Sequence, residues 1–207
     1  MKEKLVCILD FKNGNLESIV NALNFLKIPN IVSNKNNDID KSSHLILPGV
    51  GAYNHVMERL NTFIDVELLK ENILRKNKPV LGICVGMQIM SDCGFENNLE
   101  TNGLSLISGK VEKIKTSLNL PHVGWNNIKI LKSIPLLKDI DSGTDFYFTH
   151  SYCFNLIEEK NKISVTYYSN ELTSIVSKNN IVGVQFHPEK SQMSGMKIYK
   201  NFFSYYE

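Results

Sequence analysis

The chain has 207 residues, of which 43% are hydrophobic and 21% charged, and its formal net charge is +2. This composition is typical of a globular protein, and no concentrated basic stretch indicates a nucleic-acid partner. No apolar run reaches about 18 residues, which argues against a membrane-spanning helix. Four cysteines without paired spacing favour a reducing, cytoplasmic setting.

The first half of the chain alternates expected strands with expected helices. The strands are residues 5–9, 30–33, 44–47 and 80–83. The helices are residues 16–26 (capped by Asn15), 53–61, 65–77 and 85–91. In the helix 65–77, the residues expected to face the core are Val66, Leu69, Ile73 and Leu74. The segment 34–43 is expected to be a polar connection without core residues. Such alternation predicts a mainly parallel sheet with right-handed crossovers.

The second half is richer in strands. These are expected at residues 108–114, 124–131, 145–150, 163–168, 172–177 and 181–186, with a hairpin turn at Asn179-Asn180. They predict an antiparallel extension of the parallel sheet. A C-terminal helix from about residue 195 carries an aromatic stripe that is expected to pack in the core. No linker separates the halves, so the chain is expected to form one α/β domain over residues 1–207.

The strongest local signal is a cysteine between two glycines at the end of an apolar strand. Gly82, Cys84 and Gly86 form the Gly-x-nucleophile-x-Gly pattern of a nucleophile elbow. Such a turn projects the nucleophile above the sheet, and glycine is needed where a Cβ would collide with neighbouring backbone. The following helix N-terminus stabilises a thiolate and offers the Val85 N–H to a developing oxyanion. The alternative is a buried cysteine between two packing glycines.

A second glycine-containing loop follows the strand 44–47. In Pro48-Gly49-Val50-Gly51, two glycines around one valine allow unusual peptide orientations. Loops at the carboxyl ends of parallel strands are where α/β proteins bind ligands. On its own, however, this pattern is typical of an ordinary tight turn.

His187, Pro188 and Glu189 follow the last expected strand. Proline disfavours helical geometry in the preceding residue, so His187 is expected to be extended. In an extended segment, residues two apart lie on the same side, and His187 and Glu189 therefore project together. A carboxylate so placed can hold an imidazole in one tautomer while the other ring nitrogen faces a nucleophile. A lone His-Pro is common in loops, but in combination with Cys84 it indicates a Cys-His-Glu arrangement.

Three blocks of the sequence resemble the signature blocks of class I (triad-type) glutamine amidotransferases, and they are residues 48–51, 82–88 and 185–189. Residues 121–126 and 148–152 are similar to segments of one branch of that family, the glutaminase subunits of imidazole glycerol phosphate synthases in histidine biosynthesis. The resemblance extends from Asp10 to Ser191 with the motifs in order. It implies a flavodoxin-like α/β fold, with a mainly parallel central sheet flanked by helices and an antiparallel extension.

The resemblance also implies a reaction. Cys84 attacks the side-chain amide carbon of glutamine, and His187, oriented by Glu189, protonates the departing ammonia. His187 then acts as base for the water that hydrolyses the glutamyl thioester. The implied oxyanion donors are backbone N–H groups of Val50, Gly51 and Val85.

The resemblance further implies contacts to the substrate. Gln88 lies four residues after Cys84 on the same helix face and matches a family position that contacts glutamine. Ser151 and Tyr152 match the loop that holds the amino-acid end. No cofactor and no metal are implied. We hypothesise that partner binding sets the peptide orientation of the Val50/Gly51 loop.

In this family, ammonia passes through a tunnel into a (β/α)8-barrel cyclase subunit, with which the glutaminase forms a heterodimer. The cyclase joins it to a phosphorylated ribulosyl aminoimidazole carboxamide, which gives imidazole glycerol phosphate and an aminoimidazole carboxamide ribotide. The interface candidates are Trp125, Lys190 and Asn13. The alternatives are a core position for Trp125 and a solvated surface charge for Lys190.

Two segments depart from the family pattern, residues 10–15 and 92–98. These departures leave the identity of the partner protein undetermined. One alternative is a paralogous glutaminase that serves another synthase, such as one of amidino-sugar biosynthesis. Others are a stand-alone cysteine hydrolase and a catalytically idle binding partner. Cys93 is expected to pack in the elbow helix. A metal site made by His150 and Cys153 is disfavoured because a second ligand pair is missing.

Overall fold

The computed structural model describes residues 4–12, 14, 16–97 and 99–206. Its first half supplies, in chain order, β1 (Val6–Leu9), α1 (Glu17–Phe25), β2 (Asn30–Ser33), α2 (Asn36–Lys41), β3 (His44–Leu47), α3 (Tyr53–Phe63), α4 (Val66–Lys70), β4 (Val80–Ile83) and α5 (Val85–Gln88). A π-helical turn, Glu71–Arg75, continues α4. The expected helix cap, Asn15, lies outside the described residues.

The second half contains mostly strands and closes with a helix. In chain order these are β5 (Cys93–Glu96), β6 (Leu99–Asn102), β7 (Gly109–Lys113), β8 (His122–Asn127), β9 (Lys129–Ile130), β10 (Asp145–His150), β11 (Tyr152–Leu156), β12 (Lys162–Tyr168), β13 (Asn170–Lys178), β14 (Ile181–Val184) and α6 (Gln192–Tyr205). Short 3-10 turns lie at Pro135–Leu137, Glu159–Asn161 and Pro188–Lys190.

The central sheet has eight strands in the order β2-β1-β3-β4-β14-β13-β12-β9. The strands from β2 to β14 in that order are parallel, and the last three are added antiparallel. This confirms the expected parallel sheet with an antiparallel extension. β14 is the junction, since Val184 lies opposite Ile83 in a parallel pair and opposite Ile175 in an antiparallel pair. The carboxyl ends of β3, β4 and β14 therefore lie side by side.

Two smaller sheets stand beside the central one. β8 and β10 form an antiparallel ribbon, and a second sheet has the order β11-β7-β5-β6. The prediction that all second-half strands extend the central sheet was therefore wrong. The placement of Cys93 in the elbow helix was also wrong, because Cys93 begins β5. β6 is largely exposed, β5 is only partly buried, and neither has a continuous apolar run, so the sequence carried no strand signal there.

The core lies in two layers, one on each face of the central sheet. In β1, Val6 and Ile8 face one layer, while Cys7 and Leu9 face the other. α1 and α6 cover the first face, and α3 and α4 cover the second. Because both faces of the sheet are covered at β1, that strand is apolar and buried throughout, as the sequence predicted. Within the described residues, no helix is long and apolar enough to cross a lipid bilayer.

Two expectations about the core were wrong. The connection 34–43 contains α2, and its Ile39 is 0% exposed in the second core layer. A single apolar side chain among polar neighbours produces no periodicity, which is why the sequence did not indicate this helix. Leu74 is 53% exposed, although it was expected to face the core. The π turn has more residues per turn than an α-helix and rotates Leu74 off the apolar stripe.

Candidate active site

Cys84 occupies a strained turn between β4 and α5, with φ 52° and ψ −114°. A non-glycine residue rarely adopts a positive φ, and it persists only where the surroundings enforce it. A Cβ on Gly86 would lie 2.0 Å from the Leu47 carbonyl oxygen, and a Cβ on Gly82 would lie 2.6 Å from the Gly86 oxygen. The Cys84 N–H also donates to the Val184 carbonyl at 2.8 Å. The two glycines therefore meet the steric requirement that the elbow pattern predicted.

The elbow helix is shorter than the sequence indicated. α5 ends at Gln88, whereas the apolar pattern suggested a helix to about Ser91. The N–H groups of Met90 and Ser91 bond three residues back, which tightens the chain into 3-10 turns. The carbonyls of Ile89 and Met90 then accept from the backbone of residues 104–107. These long-range partners, which local periodicity does not reveal, end the helix.

His187 and Glu189 form a buried pair at the end of β14. The Nδ1 atom of His187 lies 2.7 Å from Oε1 of Glu189, and each side chain is 6% exposed. Their loop is held by Ser191, whose hydroxyl donates to the His187 carbonyl at 2.6 Å and accepts from the Tyr147 N–H at 3.0 Å. The predicted alignment of imidazole and carboxylate is present in the structure.

The Cys84 sulfur lies against the imidazole of His187. Among the described residues, Nε2 of His187 is buried and has no hydrogen-bond partner, and the Cys84 side chain is close enough to raise the pKa of the imidazole. Burial opposes the charged imidazole, but the Cys84 sulfur and the Glu189 carboxylate outweigh it and raise the pKa of His187 to about 10. The site therefore favours an imidazolium between a sulfur and a carboxylate, which is the arrangement of an activated nucleophile.

A cavity of about 190 Å³ opens in front of the sulfur. It is lined by Gly51, Cys84, Val85, Gln88, Glu96, Pro121, Thr149, His150, Ser151 and Tyr152. The structure thus brings most of the proposed site residues to one small pocket. Drug-sized ligands occupy pockets of roughly 300–1,000 Å³, so this one suits a smaller molecule such as an amino acid. A larger groove near Asn179 and Tyr206 contains none of these residues.

The glycine loop after β3 packs directly on the elbow. A Cβ on Gly49 would lie 1.9 Å from the Ile83 oxygen and 2.6 Å from the Val85 nitrogen, so only glycine permits this approach. Gly51 has φ +108° and lines the cavity. The Val50 side chain is exposed and contacts the loop at Gly14. The tight-turn interpretation alone is therefore insufficient, because the loop forms one wall of the cavity.

Three polar residues at the site were not indicated by the sequence. Gln185 donates from Nε2 to the Cys84 sulfur at 3.6 Å, and the rule that paired His187 with Glu189 also places Gln185 on that side. Tyr199 was expected only to pack, but its hydroxyl also donates to Oε2 of Glu189 at 3.3 Å. Glu96 lines the cavity from β5, a strand that the sequence did not reveal.

Gln88 and two histidines form a polar network behind the cavity. Gln88 donates from Nε2 to the Tyr152 carbonyl at 3.0 Å and to Oε1 of Gln185 at 2.9 Å. The Tyr152 carbonyl also accepts from Nδ1 of His150, at 2.9 Å. Nε2 of His150 lies 3.0 Å from Nδ1 of His122, a pairing that the sequence did not suggest.

This network determines the protonation of both histidines. Because a carbonyl only accepts, Nδ1 of His150 carries a hydrogen, and its Nε2 accepts from Nδ1 of His122. Nε2 of His122 in turn accepts from the Asn126 amide at 3.2 Å. Burial lowers the pKa of His150 to about 4 and also lowers that of His122. Both rings are therefore neutral near pH 7.

The interface candidates lie on the surface. Trp125 is 49% exposed on the ribbon strand β8, so a core position for it is wrong. Lys190 is exposed, with its ammonium 5.8 Å from the Tyr147 ring centroid. Asn13 lies outside the described residues. Within those residues, no group of three or more His, Cys, Asp or Glu side chains is arranged to hold a metal ion.

Residues 7–205 match the family model described as "Glutamine amidotransferase class-I". The chain is 38% identical over 200 residues to "Imidazole glycerol phosphate synthase subunit HisH 1" of Campylobacter jejuni (strain RM1221), covering 96% of this chain and 98% of that protein. It is 42% identical over 205 residues to "Imidazole glycerol phosphate synthase subunit HisH" of Pelagibacter ubique (strain HTCC1062), covering 95% and 98%.

Solved structures share the fold at low sequence identity. The structure of PurLQS from Thermotoga maritima has a TM-score of 0.77 at 15% identity and covers 99% of this chain and 100% of that chain. A glutamine amidotransferase from the same organism has a TM-score of 0.65 at 15% identity, covering 91% and 77%. The α/β architecture predicted from the sequence is therefore confirmed.

We predict that His122 and His150 are neutral Nδ1–H tautomers near pH 7, because burial lowers the pKa of both rings. The lowered pKa of His150, about 4, means that the folded chain binds its proton only well below the usual value of about 6.5. The free energy of unfolding should accordingly fall as the pH drops from about 6.5 towards 4, because in this range the unfolded chain binds the His150 proton and the folded chain does not. ¹⁵N-edited NMR of the imidazoles measures the tautomers, and an imidazolium signal from His150 at pH 6, or Nε2–H tautomers near pH 7, would contradict the network.

Proposed function

The chain belongs to the class I glutamine amidotransferase family, and from that membership we propose that it is the glutaminase subunit of an imidazole glycerol phosphate synthase. Such a subunit hydrolyses glutamine and passes the ammonia to a partner subunit. One observation carries the proposed chemistry: Cys84, on a strained turn, meets the buried His187–Glu189 pair at a cavity that suits an amino acid.

The first half-reaction forms a thioester. The Cys84 thiol transfers its proton to Nε2 of His187, while Glu189 holds the Nδ1–H and stabilises the imidazolium. The sulfur attacks the side-chain amide carbon of glutamine, and the carbonyl electron pair moves onto oxygen. When the tetrahedral intermediate collapses, His187 protonates the nitrogen, the C–N bond breaks and ammonia leaves.

The second half-reaction releases glutamate. Neutral His187 takes a proton from water, the hydroxide attacks the thioester carbon, and the C–S bond breaks with the electron pair returning to sulfur. In both halves the oxyanion lies near the Val85 N–H and the N–H groups of the Val50/Gly51 loop. Removing one such donor typically costs about 3 kcal/mol of transition-state stabilisation. The close packing of Gly49 on the elbow supports this assignment, because it brings the loop to the reacting carbon.

The cavity lining supports recognition of a free amino acid. Among the described residues that line it, Glu96 is the only carboxylate, and it can pair with the α-ammonium group of glutamine. Its Oε2 already accepts from the Tyr53 N–H at 2.6 Å, which fixes the side chain. Gln88, Ser151 and Tyr152 supply amide, hydroxyl and backbone groups for the rest of the substrate.

The partner proposed is a (β/α)8-barrel cyclase, which takes ammonia directly and makes imidazole glycerol phosphate in histidine biosynthesis. Direct transfer matters because ammonia released into water is protonated and loses its nucleophilicity. The exposed Trp125 supports a docking face on the β8–β10 ribbon, since tryptophan is enriched in interface hot spots. Lys190, next to the triad, is proposed as a cation on that face, and Asn13 as a further contact.

We predict that Cys84→Ala lowers glutamate release from glutamine by about 10⁴-fold or more, because the nucleophile is removed. The measurement is a coupled glutamate assay on the complex with its partner. Cys93→Ala is the matched control, since Cys93 lies on β5 outside the cavity lining, and it should leave the rate unchanged. Full activity in Cys84→Ala would exclude the mechanism.

Glu96→Gln should raise the KM for glutamine by about tenfold or more with a smaller effect on kcat, because a charge-assisted contact is lost. Glutamine in this position still offers an oxygen to the Tyr53 N–H, so the fold is preserved. Glu100→Gln, on the exposed strand β6, is the control. An unchanged KM would show that Glu96 does not bind the ammonium group.

Partner binding is expected to raise the rate of glutamate release by about a hundredfold or more if it completes the oxyanion hole at Val50/Gly51. The assay compares the isolated chain with the chain plus a barrel cyclase. Stimulation by a sugar-modifying synthase instead would retain the chemistry but change the pathway. Substantial activity that no synthase alters would contradict loop control and indicate a stand-alone hydrolase.

A further inference from the structure

We propose that Gln185 is a further catalytic residue, whose carboxamide donates a hydrogen bond to the Cys84 sulfur and stabilises the thiolate in an orientation imposed by Gln88. This inference deepens the proposed function and rests on Cys84 being the nucleophile. Gln185 is 0% exposed, and a buried carboxamide requires partners for both of its ends.

The pairing of strands in the central sheet places Gln185 beside Cys84. Val184 lies opposite Ile83 in the parallel β14–β4 pair, so the next residues, Gln185 and Cys84, stand beside each other. The Gln185 N–H donates to the Ser174 carbonyl at 2.8 Å, which anchors the backbone. From there Nε2 reaches the sulfur at 3.6 Å, an ordinary distance for a contact from nitrogen to sulfur.

The orientation of the carboxamide follows from its neighbours. The Tyr152 carbonyl can only accept, so the NH₂ end of Gln88 must face it. The same NH₂ lies 2.9 Å from Oε1 of Gln185. The carbonyl end of Gln185 must therefore face Gln88, and its NH₂ end faces the sulfur. If the Gln185 carboxamide were flipped, its NH₂ group would face the NH₂ group of Gln88, and its oxygen would face the Cys84 sulfur. Both contacts would be unfavourable.

The groups around the Cys84 sulfur favour different protonation states of this side chain. The thiol can donate to the Thr149 carbonyl, 3.8 Å away, and this contact favours the neutral form. The Gln185 N–H can only donate, and it favours the thiolate. The charged or titratable groups nearby are His187 beside the sulfur, with Glu189 behind it, and His150 and Glu96 on the cavity wall.

The same donor acts at two points of the reaction. When the Cys84 proton moves to Nε2 of His187, Gln185 stabilises the negative charge left on sulfur. When the C–S bond of the tetrahedral intermediate breaks in hydrolysis, the electron pair returns to sulfur and meets the same N–H. Loss of the donor should therefore lower kcat more than it raises the KM.

The test measures the reactivity of the Cys84 sulfur towards an alkylating reagent, which does not require turnover. Iodoacetamide alkylation of Cys84 is followed against pH by mass spectrometry of its peptide, and kcat and KM are measured on the complex. In Gln185→Met the pH of half-maximal alkylation rate should rise by about one unit, and kcat should fall about tenfold. Asn201→Leu is the matched control, because Asn201 is a buried carboxamide bonded to the carbonyls of Leu136 and Lys138.

A second variant keeps the proposal testable if Gln185→Met does not fold. Gln88→Met frees the Gln185 carboxamide to rotate, so the alkylation midpoint should rise here too. An unchanged midpoint in a folded Gln185→Met, or in Gln88→Met when the first variant does not fold, overturns the proposal. If the variants show these shifts but the wild-type complex does not hydrolyse glutamine, the proposed function is overturned, while the contact of Gln185 with the Cys84 sulfur stands.

Discussion

The parallel pairing of β14 with β4 is the interaction on which the candidate site depends. It places Val184 opposite Ile83 and lets the Val184 carbonyl hold the N–H of the strained Cys84. Cys84 and Gln185, 101 positions apart in sequence, become neighbours. Since His187 follows β14 directly, a displacement of this strand would separate the proposed nucleophile from its proposed base.

Close backbone packing holds the strain at Cys84. Gly86 lies against the Leu47 carbonyl, and Gly49 lies against Ile83 and Val85, so elbow and glycine loop interlock without side chains between them. Any Cβ at either glycine would force the two backbones apart. This mutual support gives a physical reason for finding the two glycine motifs in one chain, because the loop is correctly placed only when the elbow is formed.

A buried polar network links the cavity to the ribbon of β8 and β10. It runs from His122 on β8 through His150, the Tyr152 carbonyl and Gln88 to Gln185. In a low-dielectric interior every member must be satisfied, so the network tolerates few alternative arrangements. The strand that carries His122 also carries the exposed Trp125. The ribbon therefore connects the surface proposed for docking with the residues around the sulfur.

The sequence by itself determined the parallel core and the local geometry of the site. Continuous apolar runs defined β1, β3 and β4, and the spacing of Gly82, Cys84 and Gly86 defined the elbow, because these features depend on nearby residues. The tertiary structure alone decided what nonlocal contacts control. These include the end of α5, the strand β5 that carries Glu96, the burial of Ile39, and the contacts of Gln185 and Tyr199. Each depends on partners distant in the chain, which local patterns do not record.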